Sequence, residues 1–284
     1  MEILFTVLYA TFIGFYNIFK KLALRKSSET TILVLFTSVS FLLSLIWIPT
    51  GIAIPFNFVL IFALKGFLLA LSWFIILKVL KSADLSIVTV TNVLSAVLSF
   101  ALGIILFKES AGVLQIIGSA IIVLGVAGIN LANRNSKGQT TTLQLCLLLI
   151  SALITTSSNI IDKYTTSHLT PYQVQFWFLL FVFIFSWVFF GIECIKSKKF
   201  LIGKQDLSNF WIYFVGLFLF VGDFLLFQAY NVPNSQMITI SILSKLKIVV
   251  TILAGIFIFK EKNILKKLLF ALLVIAGAIM ISVF

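Results

Sequence analysis

The chain has 284 residues, of which 61% are hydrophobic and only 11% charged, and its mean hydropathy is +1.18. That composition excludes a soluble globular domain and makes a polytopic membrane protein the default class. A net charge of +12 would suit a nucleic-acid partner in a soluble protein, but here the cations collect in alternate loops between apolar runs, so no nucleic acid is expected.

Apolar runs fall near 3–21, 30–49, 57–80, 84–107, 112–131, 143–161, 172–194, 209–230, 235–259 and 264–283. Each suffices to carry a helix through most or all of a hydrocarbon core about 30 Å thick. The runs are continuous and do not alternate with period two, which rules against a barrel and predicts an all-α protein of ten transmembrane helices. No connection is long enough for a further domain. The opening run, MEILFTVLYATFIGFYNIFKK, has no basic n-region or small-residue cleavage site and reads as a retained first helix.

The connections after the first, third, fifth, seventh and ninth runs carry Lys20, Lys21, Arg25 and Lys26; Lys78 and Lys81; Arg134 and Lys137; Lys196, Lys198, Lys199 and Lys204; and Lys260, Lys262, Lys266 and Lys267. The opposite side has Lys108 and Lys163. The positive-inside rule makes the rich side cytoplasmic and puts both termini outside, as expected of a multi-pass cell-membrane protein. Cys146 and Cys194 lie in apolar runs with no CxxC or Cys/His spacing, so neither a metal nor a cofactor is expected. No phosphate-binding Walker pattern occurs.

The chain repeats itself. SFALGIILFKES at 99–110 matches TILAGIFIFKEK at 251–262, and the same shift of 152 (109 to 261) pairs Gly103 with Gly255, Phe107 with Phe259, Lys108 with Lys260 and Gly125 with Gly277. Nearer each start, NIFKK at 17–21 matches NIIDK at 159–163, a shift of 142 (17 to 159). The predicted organisation is a first five-helix repeat over 1–131, a connector at 132–142 and a second repeat over 143–284. An odd number of helices per repeat gives inverted topology, the arrangement that lets two halves exchange conformations in alternating access.

A helix ending in FKE, followed by an apolar helix with an interior glycine, the whole unit occurring twice, resembles the EamA-like branch of the drug/metabolite transporter superfamily. The resemblance covers essentially the whole chain and implies a ten-helix transporter with no enzymatic activity. Members of that branch place their termini in the cytoplasm, opposite to the lysine bias here. Lys247 also stands in a position similar to a phosphate-contacting lysine of the organic-phosphate translocators, but Ile248 and Asn92 occupy the places of that family's other basic groups.

Ionised groups within a membrane helix cost roughly 2.5–3.5 kcal/mol each on insertion scales and therefore point to cavities or partners. Lys65, Asp223, Lys245 and Lys247 are such groups. In the fourth run Asn92, Ser95, Ser99 and Gly103 form a small, polar stripe, and the shift of 152 carries them onto Ser244, Lys247, Thr251 and Gly255. Lys247 is thereby expected in a central cavity, with Lys245 about 200° away round the helix unless the helix unwinds. Asp223 is open to two roles, a buried pair with Lys245 or Lys65 and a proton-coupling carboxylate. One acid cannot pair three lysines, which favours an anionic or carboxylate-bearing substrate. Further candidates are Tyr9, Tyr16 and Asn17 in the first run, Thr155, Ser158, Asn159 and Asp162 in the sixth, Trp73 in the third and Gln228 in the eighth. The substrate-binding set expected is Lys247, Asn92, Ser95, Lys65, Trp73, Asn17, Asn159, Ser244, Gln228 and Tyr9.

The expected function is a secondary transporter of a small polar metabolite, anionic or zwitterionic, such as an amino acid or organic anion. Its partners are then the lipid bilayer, the substrate and, as an open question, a coupled proton; a monomer suffices and a dimer stays open. Efflux of amphipathic organic cations and a non-transporting scaffold or receptor are the alternatives. An intramembrane enzyme lacks a catalytic set.

Overall fold

A computed structural model describes residues 1–85, 88, 94–108, 112–132, 142–260 and 264–283 of the chain, and every regular element among them is helical. In chain order these are α1 (Glu2–Ala23), α2 (Glu29–Ser44), α3 (Phe56–Ser82), α4 (Leu94–Phe107), α5 (Val113–Ala132), α6 (Thr142–Thr166), α7 (Pro171–Ser197), α8 (Phe210–Asn231), α9 (Met237–Leu243), α10 (Lys247–Phe257) and α11 (Ile264–Val283). A 3₁₀ stretch, Leu45–Thr50, extends α2, and another, Ser244–Leu246, joins α9 to α10. Seven spans are long and apolar enough to cross a bilayer among the described residues: Glu2–Ala23, Glu29–Thr50, Phe56–Ser82, Thr142–Thr166, Pro171–Ser197, Phe210–Asn231 and Met237–Phe257. Val113–Gly125 and Leu268–Gly277 are shorter apolar helical runs, and α4 is 14 residues long. The chain is therefore an all-α membrane protein; of the ten expected crossings, seven are clear among the described residues, beside the shorter apolar helices.

Local chemistry sets the ends. Ser28 caps α2 by accepting from the Thr31 amide, and Thr170 forms a capping box with Gln173 ahead of Pro171, a residue suited to the first turn because it has no amide to satisfy. Lys108 and Lys260, the lysines of the two FKE motifs, both take left-handed backbone, with φ of 52° and 50°. The repeated motif is a helix stop. Apolar side chains such as Leu60, Leu64 and Leu42 remain largely exposed on the outer faces, a surface that only lipid would cover.

The halves pack as counterparts. Gly66 of α3 abuts α7, where an added Cβ would lie 2.6 Å from the Phe181 Cβ; Gly216 of α8 abuts α2, 2.7 Å from the Val39 Cβ. Phe181 is Val39 shifted by 142, and Gly216 is Gly66 shifted by 150 (66 to 216). Gly125 likewise meets Val274 and the Phe270 carbonyl, while Gly277 meets Ile122 and the Gly118 carbonyl, each partner shifted by 152. Contacts α1–α8 and α3–α6, α2–α8 and α3–α7, and α1–α10 and α4–α6 exchange in the same way. Each half thus uses one set of close approaches against the other.

Two expectations change. The ninth run is broken by the 3₁₀ turn at Ser244–Leu246 and is not one continuous helix. Lys20, Lys21, Lys78, Lys81 and Lys196 belong to helix ends and not to loops, and Lys20 is buried within the bundle. Glu109, Glu261 and Asn92 lie outside the described residues, as do residues 133–141 of the connector at 132–142. Gly66→Ala and Gly216→Ala are each expected to cost about 1–3 kcal/mol through forced displacement of a packed neighbour. Gly191→Ala, with nothing within 4 Å, should be neutral; thermal unfolding of the purified variants in detergent checks all three.

Candidate functional site

Six of the described helices contribute to a polar cavity in the middle of the bundle. Tyr9, Ile13, Tyr16, Asn17 and Lys20 come from α1; Lys65, Leu69, Trp73 and Ile76 from α3; Thr155, Ser158, Asn159 and Asp162 from α6; Leu219, Asp223, Leu226 and Phe227 from α8. Phe178 of α7 and Lys247 at the start of α10 complete it. The centre of a water molecule can reach about 100 Å³ of this space. Since one water needs roughly 10–15 Å³ on that measure, several waters or a small metabolite fit.

The lining obeys the repeat. A shift of 142 carries Ile13, Tyr16, Asn17 and Lys20 onto Thr155, Ser158, Asn159 and Asp162, and all of these residues face the cavity. A shift of 150 carries Leu69, Trp73 and Ile76 onto Leu219, Asp223 and Leu226, again all lining residues. Equivalent helix faces from the two halves therefore bound one space, and the side chains placed on those faces differ in charge.

Lys65 and Asp162 form a buried ion pair between α3 and α6. The Lys65 Nζ also lies 4.0 Å from the Phe178 ring centroid and 5.0 Å from that of Phe227, so aromatic faces complete its shell. Asp223 is the other acid among the described lining residues, and its Oδ2 is buried with no hydrogen-bond partner among them. It is close enough to Lys65, Asp162 and Lys247 to feel all three charges. Lys247 is buried and has no ion pair among the described residues; Lys20 is buried with its Nζ 4.1 Å over the Tyr16 ring. The Tyr16 hydroxyl is buried and has no hydrogen-bond partner among the described residues. Among the described lining residues, three lysines against two carboxylates leave a formal surplus of positive charge.

Of the residues singled out from sequence, Lys247, Lys65, Trp73, Asn17, Asn159, Tyr9 and Asp223 line the cavity. Tyr16, Thr155, Ser158 and Asp162 line it too, whereas Ser95, Ser244, Gln228 and Lys245 lie outside the lining and Asn92 lies outside the described residues. The Lys245 Nζ donates to the Ser95 Oγ at 2.8 Å, joining the α9–α10 turn to α4. The Ser244 Oγ donates to the Ser241 carbonyl, and Gln228 is half-buried on another face of α8. Neither predicted partner of Asp223 pairs with it: Lys65 takes Asp162, and Lys245 takes Ser95.

Lys20 and Asp162 are the residues sequence reasoning underused. Lys20 ends an apolar run and reads as a loop residue, whereas Asp162 sits on its helix with no charge partner evident in the sequence. The match of NIFKK with NIIDK already contained both, because it sets Lys20 opposite Asp162 at a position next to the paired asparagines.

A helical membrane protein with a polar, charged cavity between two repeats is the class that this fold and site define. The sequence matches the profile of the EamA-like transporter family over residues 1–131 and 142–283, and the chain belongs to that family. It is thus a transporter with two EamA repeats, and not an enzyme. One solved structure, described only as a crystal structure of a protein, is similar with a TM-score of 0.65 over 96% of this chain and 97% of its own, at 13% identity, which speaks to the fold alone. A search of curated proteins gives no match.

Removing one member of the Lys65–Asp162 pair leaves the other charge buried and is expected to cost about 3–5 kcal/mol. Lys65→Met combined with Asp162→Leu should be milder than either single change. A double-mutant cycle in thermal unfolding of the detergent-solubilised protein measures the coupling.

Proposed function

We propose that the chain is a secondary transporter that moves a small zwitterionic or anionic metabolite, such as an amino acid or organic anion, through the central cavity by alternating access. The observation that carries this reading is Lys247, buried at the cavity wall with no ion pair among the described residues, beside an Asp223 carboxylate with an unsatisfied buried oxygen. A buried charge without a partner is costly, and a ligand that supplies the missing counter-charge recovers that cost on binding. A zwitterion satisfies both groups at once, its carboxylate on Lys247 and its ammonium on Asp223.

Two further observations support the mechanism. Repeats of five helices, 1–131 and 143–284 about a connector at 132–142, have opposite orientations in the membrane if every predicted run crosses it, and equivalent faces of the two halves bound the cavity. Exchange of the halves' conformations would then open the same site to either side. The 3₁₀ break at Ser244–Leu246 comes just before Lys247, so the site contains the kind of interrupted helix that transporters use at their binding positions. Asp223 is the group through which a proton could be coupled. The cell membrane is the setting, and one chain supplies both halves.

Efflux of organic cations draws on the aromatic wall of Trp73, Phe178 and Phe227, but the chain's own Lys65 already occupies the faces of Phe178 and Phe227. A guest cation would also meet three resident lysines. Lys247→Ala is expected to weaken binding of the preferred carboxylate ligand by at least about tenfold, the scale of a lost charge-assisted hydrogen bond. Thermal-shift titration of the full chain against amino acids, small carboxylates and organic cations, followed by flux in proteoliposomes, measures this. Stabilisation by cations alone, unchanged in the variant, would overturn it.

A further inference from the structure

The repeat exposes a gap in the cavity's charge pattern. Asp162 is the counterpart of Lys20 under the shift of 142, and Val215 is the counterpart of Lys65 under the shift of 150. The buried ion pair that joins α3 to α6 therefore corresponds, at the α1–α8 contact, to a lysine near a valine. The packing register agrees. A Cβ on Gly222 would sit 2.9 Å from the Ile13 Cδ1, and Phe19 stacks with Trp211 and contacts Phe214, with ring centroids 5.5 and 5.4 Å apart, so α1 and α8 run antiparallel with residues 16–20 level with residue 215. Val215 is fully buried and apolar.

Lys20 is consequently the cavity cation with the least built-in compensation. It is 3% exposed, and no acid pairs with it among the described residues. Asp223 acts on Lys247, whereas the charge that Lys20 feels is that of Lys247, another cation. The face of Tyr16 offsets part of its charge but accepts none of its hydrogen bonds in the way an oxygen does, and the Tyr16 hydroxyl is itself buried without a partner. An ammonium and a phenol that share a cavity wall, neither with a hydrogen-bond acceptor among the described residues, make a donor pair for one oxyanion.

We infer that Lys20, with the Tyr16 hydroxyl beside it, is a specificity-determining contact for the anionic group of the substrate, occupying the end of the cavity opposite the Lys65–Asp162 pair. The inference rests on the proposed transport of anionic or zwitterionic metabolites and names the residue that selects the charge. In this arrangement the substrate's carboxylate is shared between Lys247 and Lys20, and at Lys20 it takes the place of the acid that the second copy of the pair lacks. The ligand completes a symmetry that the chain leaves half-built.

The test compares acids with their uncharged-carbonyl counterparts, L-threonine with L-threoninamide and succinate with succinamide, by titrating the purified full chain in nanodiscs. Wild type is expected to prefer the acid, Lys20→Met to reduce that preference at least tenfold, and Lys20→Arg to retain it. Val215→Glu places a carboxylate within the register of Lys20 and is expected to suppress acid binding at least tenfold, whereas Val215→Gln does not. Size-exclusion profiles select folded variants; should Val215→Glu not fold, the Lys20→Met and Lys20→Arg pair decides alone. If wild type prefers the acids and Lys20→Met keeps the full preference, the assignment of Lys20 is overturned while anion transport stands. If wild type binds the amides as well as the acids, the anionic-substrate reading itself falls, and the role of Lys20 with it.

Discussion

A charge inside a lipid-facing bundle has to be matched by another charge, by hydrogen bonds or by water, and this chain matches only part of what it buries. Lys65 and Asp162 match each other across α3 and α6. Lys245 is held by the Ser95 hydroxyl, away from the cavity. Lys20, Lys247 and Asp223 remain around the central space, two cations and an acid that no direct hydrogen bond joins. A cavity built this way is poor as a structural core and suited to a ligand that brings charge of its own.

Repetition determines where those charges stand. Because α1 and α6 present equivalent faces, as do α3 and α8, one cavity is made from two copies of one design. The close glycine approaches recur with their partners exchanged, Gly66 on Phe181 and Gly216 on Val39, which holds the copies in matching registers. Function then lies in the differences between copies: Lys20 against Asp162, Trp73 against Asp223, Lys65 against Val215. The packing glycines stay the same while the polar positions diverge, so an architecture shared across a family can carry different chemistry in each member.

Much of this was legible in the residues. The membrane class followed from apolar runs, and the duplicated FKE segments gave the repeat that the family match confirms. Lys247 lines the cavity as the stripe carried across the repeat suggests, although Ser95 and Ser244 of that stripe do not, and Lys245 points away as its angle round the helix requires. The identity of the partners was not legible. Lys65 lies nearly a hundred residues from Asp162 in sequence, and only the packing of α3 on α6 selects that acid over Asp223. Lys20 was hidden for a different reason: a lysine at the end of an apolar run looks like a loop residue, and its burial depends on α8 and α10 packing around it. The shift of 150 between α3 and α8 was also out of reach, because the two helices share shape at their contacts more than sequence.

The most direct test of the central claim, that a ligand supplies the missing counter-charge, is a structure of the protein bound to the best stabilising compound from the ligand screen. The account predicts a carboxylate or other oxyanion within hydrogen-bond distance of the Lys247 Nζ, with any ammonium of the same ligand against Asp223. A cationic ligand stacked on the aromatic wall with the Lys247 side chain uninvolved would contradict it, and would mean that the buried lysines serve the bundle and not the cargo.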